Sequence, residues 1–199
     1  PSFNGVYPPD PTGDVGGGYY VEVYNGGGGA LITIYNIADG SVAAGQFSMD
    51  GLGSGGPCAS GLGDGVVVFD RLAQRWLLTE FSGTSNTLCT YLSSGADPVI
   101  TTWTRYTFNV PGFPDYPKYG VWPDAYYIGA NQGPAADAID RNSMLAGQPA
   151  PLQRMSIPPL GGLGFQMLPP ASVFTPAALK KDITSGFSEL GETISHRMP

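Results

Sequence analysis

The sequence predicts an all-β chain of propeller-like blades of antiparallel strands, a partial propeller of about three blades followed by a short C-terminal helix. Three observations predict it. The 199 residues include 30 Gly and 19 Pro, yet 12% are aromatic and 42% hydrophobic, which fits short packed strands joined by tight turns. Several segments alternate apolar and polar residues with a period of two. An aspartate followed by an aromatic strand recurs at about 50–56 residues, near the length of a kelch-like blade.

Residues 1–18 read as a loop, with Pro8-Pro9-Asp10-Pro11 and Gly16-Gly17-Gly18 as its punctuation. Residues 19–24 alternate as a strand, with Tyr19, Val21 and Val23 on one face and Tyr20, Glu22 and Tyr24 on the other. After the glycines at 26–29, residues 31–35 are rich in β-branched side chains and form the partner of a hairpin. Residues 48–65 are a glycine-rich loop holding Cys58. Strands follow at 66–69, 75–81, 87–93 (with Cys89) and 101–108. Residues 112–124 are crowded with proline and aromatic residues. Residues 125–128 and 136–139 read as a further hairpin, residues 141–146 as one helical turn, and residues 149–170 show no clear period.

The three repeating units are headed by Tyr20, Trp76 and Tyr127. Asp14 precedes Tyr20 by six positions, Asp70 precedes Trp76 by six, and Asp124 stands closer to its aromatic pair. A β-sandwich, whose hairpins also alternate, is the other architecture that fits this pattern. The tail differs in kind, dividing the chain into a β domain at 1–170 and an extension at 171–199. There Thr175 caps a helix with Pro176 at its first position, and Leu179, Ile183, Phe187, Leu190 and Ile194 make one apolar stripe.

A net charge of −7 with only 9 Lys+Arg gives no basic footprint for nucleic acid and no attraction to an anionic membrane surface. No run of 18 apolar residues exists to span a bilayer. The start at Pro1 is expected to reflect removal of a leader from an exported protein. His196, in the terminal Ser195-His196-Arg197, is the only histidine, so Ser-His-Asp chemistry and His-rich metal sites have no support. The glycine run at 26–29 is not followed by a phosphate-loop lysine, and no cofactor is expected.

Carboxylates are the remaining catalytic resource. A glycosidase needs only two, and Asp14, Asp70 and Asp124 stand at comparable places in the three units, with Asp64 a further candidate. Aspartates at such places also cap turns by accepting backbone N–H bonds. Asp10 and Asp14 alternate oxygen ligands as a calcium loop would, although the spacing is not that of an EF-hand. Trp103, Tyr106, Tyr116 and Trp122 fall in an aromatic-rich part of the chain and are candidate binding-surface residues, with Tyr116 and Trp122 presented by the proline-rich loop. Cys58 and Cys89 are compatible with one disulfide or with two buried thiols.

Longer stretches carry a resemblance. Pro8-Pro9-Asp10-Pro11-Thr12-Gly13-Asp14-Val15-Gly16, Gly55-Gly56-Pro57-Cys58, Asp70-Arg71-Leu72-Ala73-Gln74-Arg75-Trp76-Leu77-Leu78 and Phe113-Pro114-Asp115-Tyr116-Pro117-Lys118-Tyr119-Gly120-Val121-Trp122-Pro123-Asp124-Ala125-Tyr126-Tyr127 occur in order. They resemble a family of large secreted, mostly bacterial, propeller-like β proteins of unassigned activity. The resemblance covers about residues 5–168 and implies an exported propeller-like domain. It also implies a Cys58–Cys89 disulfide, because both cysteines fall where the family's cysteines fall. Residues 171–199 depart from the family's usual continuation.

The expected function is that of a secreted or cell-surface structural, adhesive or self-assembling module without catalysis. Its expected partners are other protein chains, copies of itself included, and carbohydrate. The alternative is a carbohydrate-active propeller using Asp14, Asp70 and Asp124. Two carboxyl groups roughly 5–10 Å apart in a cleft would favour the enzyme, and separate hydrogen-bonded aspartates the scaffold.

Overall fold

The computed structural model describes residues 5–162, 164 and 166–173. The expected helix from Thr175 to Ile194, and His196, lie outside the described residues. Among the described residues, twelve antiparallel strands form three four-stranded sheets, each a run of consecutive strands. The first holds β1 (Thr12–Gly16), β2 (Tyr19–Gly26), β3 (Gly29–Asn36) and β4 (Val42–Ser48). The second holds β5 (Gly61–Asp70), β6 (Arg75–Ser82), β7 (Thr87–Ser93) and β8 (Trp103–Asn109). The third holds β9 (Lys118–Val121), β10 (Ala125–Gly129), β11 (Ala135–Asp140) and β12 (Leu152–Ser156). No sheet closes into a barrel, and among the described residues no helix is long and apolar enough to cross a membrane.

Four strands lie where residue patterns gave none. β1 sits inside the expected N-terminal loop. It is held by its whole-length pairing with β2, and Gly17 and Gly18, both at positive φ, close the two-residue turn between them. β4, β9 and β12 are likewise short or weakly patterned and take their form from a neighbouring strand. β5 begins at Gly61, earlier than the apolar run at 66–69, because its glycine-rich start pairs irregularly with β6. The expected helical turn is α1 (Arg141–Leu145), capped by the Asp140 carboxylate, which accepts from Ser143 N at 2.6 Å.

The middle sheet is covered on both faces. Trp76, Leu78, Cys89 and Tyr91 pack with Val21, Val23, Ile32 and Ile34 of the first sheet. Leu77, Leu88 and Leu92 pack with Tyr119, Val121, Tyr126 and Ile128 of the third. Alternate residues of one strand thus enter different cores, which is why β7 is buried along its whole length. The first strands of the sheets, β1, β5 and β9, adjoin one another in that order. Cys58 and Cys89 form a disulfide with Cα atoms 5.6 Å apart, fastening the loop before β5 to β7.

Candidate functional site

Where the three first strands converge, residues from separate parts of the chain meet in one cleft of about 280 Å³. Asp10 comes from before β1, Asp64 from β5, Tyr116 from the loop before β9 and Lys118 from the first residue of β9. Asp10, Asp64 and Tyr116 all hold positive φ, at 36°, 48° and 53°, a conformation that costs an ordinary side chain about 1–2 kcal/mol. Asn25 ties two of these residues together: its amide donates to Asp10 Oδ2 at 3.1 Å and to Pro8 O at 3.0 Å, and its oxygen accepts from Asp64 N at 2.8 Å. The Lys118 ammonium lies 3.5 Å from the centre of the Tyr116 ring.

The electrostatics follow from partial burial. Desolvation raises the Asp64 carboxyl, the Asn25 bond opposes this, and the neighbouring Asp10 and Asp115 charges add to it. Desolvation likewise lowers Lys118, against the pull of Asp64 and Asp10. Such a cleft offers oxygen acceptors, one ammonium and an aromatic edge to a small polar ligand. Asp10 and Asp14 do not converge as a calcium loop would. Asp14 turns to the second sheet, and among the described residues no group of three His, Cys, Asp or Glu could hold a metal ion.

The strand register places the three catalytic candidates differently. Asp14 lies within β1 opposite Val21, Asp70 ends β5 opposite Arg75, and Asp124 lies in the turn before β10. Asp14 accepts from Val15 N at 2.7 Å and Phe69 N at 2.8 Å, and meets Arg71 at 3.3 Å. Asp70 is fully buried. It accepts from Leu72 N, Ala73 N, the Tyr126 hydroxyl and two nitrogens of Arg141. Asp124 accepts from the Tyr127 hydroxyl at 2.9 Å. Two of the three therefore bind one sheet to the next. The aromatic candidates also divide. Tyr116 is 46% exposed, whereas Tyr106 is buried and donates to Met144 O at 2.8 Å, so it lies off the surface. Trp103 packs against the first core, and Trp122 donates to Ala171 O at 2.9 Å within its own chain.

Residue patterns passed over a second carboxyl pair. Glu80 on β6 is fully buried directly opposite Cys89, and its Oε2 accepts from Ala30 N at 2.9 Å, joining the first two sheets. Burial pushes its carboxyl up to about 8, the Ala30 bond opposes this, and the charge of Asp50 adds to it. Asp50 itself accepts from Gly61 N at 2.8 Å. Tyr91, whose hydroxyl donates to Cys58 O, is also pushed up by burial, with Glu80 and Asp50 adding and Arg105 opposing. Glu80 lies on the same face of β6 as Trp76 and Leu78, and the packing of the first sheet over that face is what buries it. Compared with protein-family models, curated proteins and solved structures, the chain finds no match.

Proposed function

We propose that the chain is an exported, non-catalytic structural and adhesive module whose three sheets are successive blades of a propeller-like assembly. The observation that carries this reading is the repeated meander: four consecutive strands, then a step to the next sheet, with first strands adjoining. A disulfide between Cys58 and Cys89 accords with an oxidising compartment. The aspartates accord with a scaffold, since Asp14 and Asp70 hold sheet to sheet and Asp70 has no access to solvent. The outer strands β4, β8 and β12 end their sheets and offer backbone edges for self-association. The cleft at Asp10, Asp64 and Tyr116 is the contact point for a small polar ligand.

Two measurements on the full chain test the proposal. Sedimentation velocity at rising concentration is expected to show reversible association, and incubation with neutral polysaccharides is expected to release no reducing sugar. Release of reducing ends that is lost in Asp14→Asn or Asp124→Asn would overturn the reading in favour of a glycosidase.

A further inference from the structure

The second and third sheets each bury the face turned toward the sheet before them. Trp76 and Leu78 do so in β6, Tyr126 and Ile128 in β10. Register makes Tyr20 the counterpart of Trp76 and Tyr126: Tyr20 pairs with Val15, Trp76 with Phe69, and Tyr126 with Val121, each one pair before the hairpin's end. Two residues further along, Glu22 stands where the other sheets place Leu78 and Ile128. The outward face of the first sheet therefore carries a carboxylate where its sisters carry an aliphatic group. A carboxylate at this position suits a polar ligand better than a further apolar sheet.

That face holds an open groove of about 690 Å³. The rings of Tyr20 and Tyr35 both line the groove and stack on one another, with centroids 6.0 Å apart and planes 30° apart. Glu22 is only 3% exposed yet lines the groove, and its Oε2 accepts from the Tyr35 hydroxyl at 3.2 Å. Thr12 and Asn36 add polar rims, and Ile37 adds an exposed apolar one. A Cβ on Gly13 would run into the Tyr20 ring, so the place of that ring depends on glycine there.

We propose that this groove is a subsite for a neutral saccharide. A pyranose ring presents C–H faces to lie on aromatic rings and hydroxyls to donate to a carboxylate. An anionic ligand would meet Glu22 and a chain of net charge −7. The inference gives the adhesive reading a ligand class but rests on this groove alone, so its failure leaves that reading standing.

The test is calorimetric titration of the full chain with neutral hexasaccharides of β-1,4-linked glucose, N-acetylglucosamine and mannose. At least one is expected to bind. Tyr35→Ala and Gly13→Ala are each expected to weaken it about tenfold or more, the worth of one lost stacking contact. Tyr35→Phe, which keeps the ring, is expected to retain most of the affinity. Circular dichroism establishes that each variant is folded. Absence of binding to all three sugars, or binding unchanged in Tyr35→Ala and Gly13→Ala, would overturn the proposal. So would loss of self-association in Tyr35→Ala, which would assign the face to a second copy of the chain.

Discussion

Arg141 reaches back 71 residues to grip Asp70, with Nε 2.7 Å from Oδ2 and Nη2 3.2 Å from Oδ1, and both side chains are buried between the second and third sheets. The Tyr126 hydroxyl donates to the same carboxylate at 2.7 Å. A buried pair of this kind is costly to break from one side, because the remaining charge has neither water nor partner. Asp70→Ala is expected to lower the unfolding free energy by about 3–5 kcal/mol. Asp70→Asn should cost less, since its amide oxygen still accepts from Leu72 N and Ala73 N. Urea titration followed by tryptophan fluorescence measures both. The double variant Asp70→Ala with Arg141→Ala is expected to lose less than the sum of the single losses. Full additivity would mean that the two side chains stabilise the fold separately.

The Cys58–Cys89 bridge closes a loop with a sequence separation of 31. Loop-closure entropy makes such a bridge worth about 3–4 kcal/mol through the unfolded chain. Replacing both cysteines by serine is expected to lower the urea midpoint accordingly and to leave the hairpin strands β2 and β3 in place. Dithiothreitol should shift the parent chain by a similar amount and leave the serine variant unmoved. A midpoint insensitive to both treatments would show that the unfolded chain gains nothing from the bridge.

Strands with an alternating pattern or an apolar, aromatic-rich run of their own were legible in the sequence: the β2–β3 pair, β6, β7 and β8, and the β10–β11 hairpin. The strands that were not legible owe their form to partners. Thr12-Gly13-Asp14-Val15-Gly16 has no strand signature alone and becomes one because β2 offers a complete ladder. Lys118-Tyr119-Gly120-Val121 is masked by flanking prolines in the same way. The aspartates illustrate the same limit for the site. Spacing placed Asp14, Asp70 and Asp124 together as equivalents, but register separates them, because the loop lengths of the three units differ. The residues that do meet, Asp10, Asp64 and Tyr116, lie far apart in sequence and share no motif, so only the convergence of three strands brings them into one cleft.

Gln74 closes the β5–β6 turn at φ 55°, exposed and on the left-handed side of the backbone map. Its side-chain amide donates to Arg71 O at 2.9 Å, a solvent-exposed bond that offsets little of that conformation. Gln74→Gly removes the Cβ that makes the geometry unfavourable. It is expected to raise stability by about 0.5–1 kcal/mol, less than the full left-handed penalty because glycine also loosens the unfolded chain. Thermal unfolding checks the sign, and a lowered midpoint would show that the Arg71 contact matters more than the backbone.

Glu80 gives the fold a pH dependence whose sign is fixed by its surroundings. In the folded chain it keeps its proton up to about pH 8, while an unfolded glutamate loses it near 4.5. Between those values the folded state holds one proton more than the unfolded state. Stability is therefore greatest at the acidic end of the window and falls as pH rises toward 8, by on the order of 4–5 kcal/mol in all. Glu80→Gln imitates the protonated acid. Its carbonyl can accept from Ala30 N as Oε2 does, and its amide can donate toward Asp50 where the proton would lie. The variant is expected to match the parent near pH 5, to exceed it increasingly at pH 6.5 and 8, and to show a nearly flat profile through that range. Urea midpoints at the three pH values make the comparison. A parent profile as flat as the variant's would show that the Glu80 carboxyl binds its proton equally well in the folded and the unfolded chain.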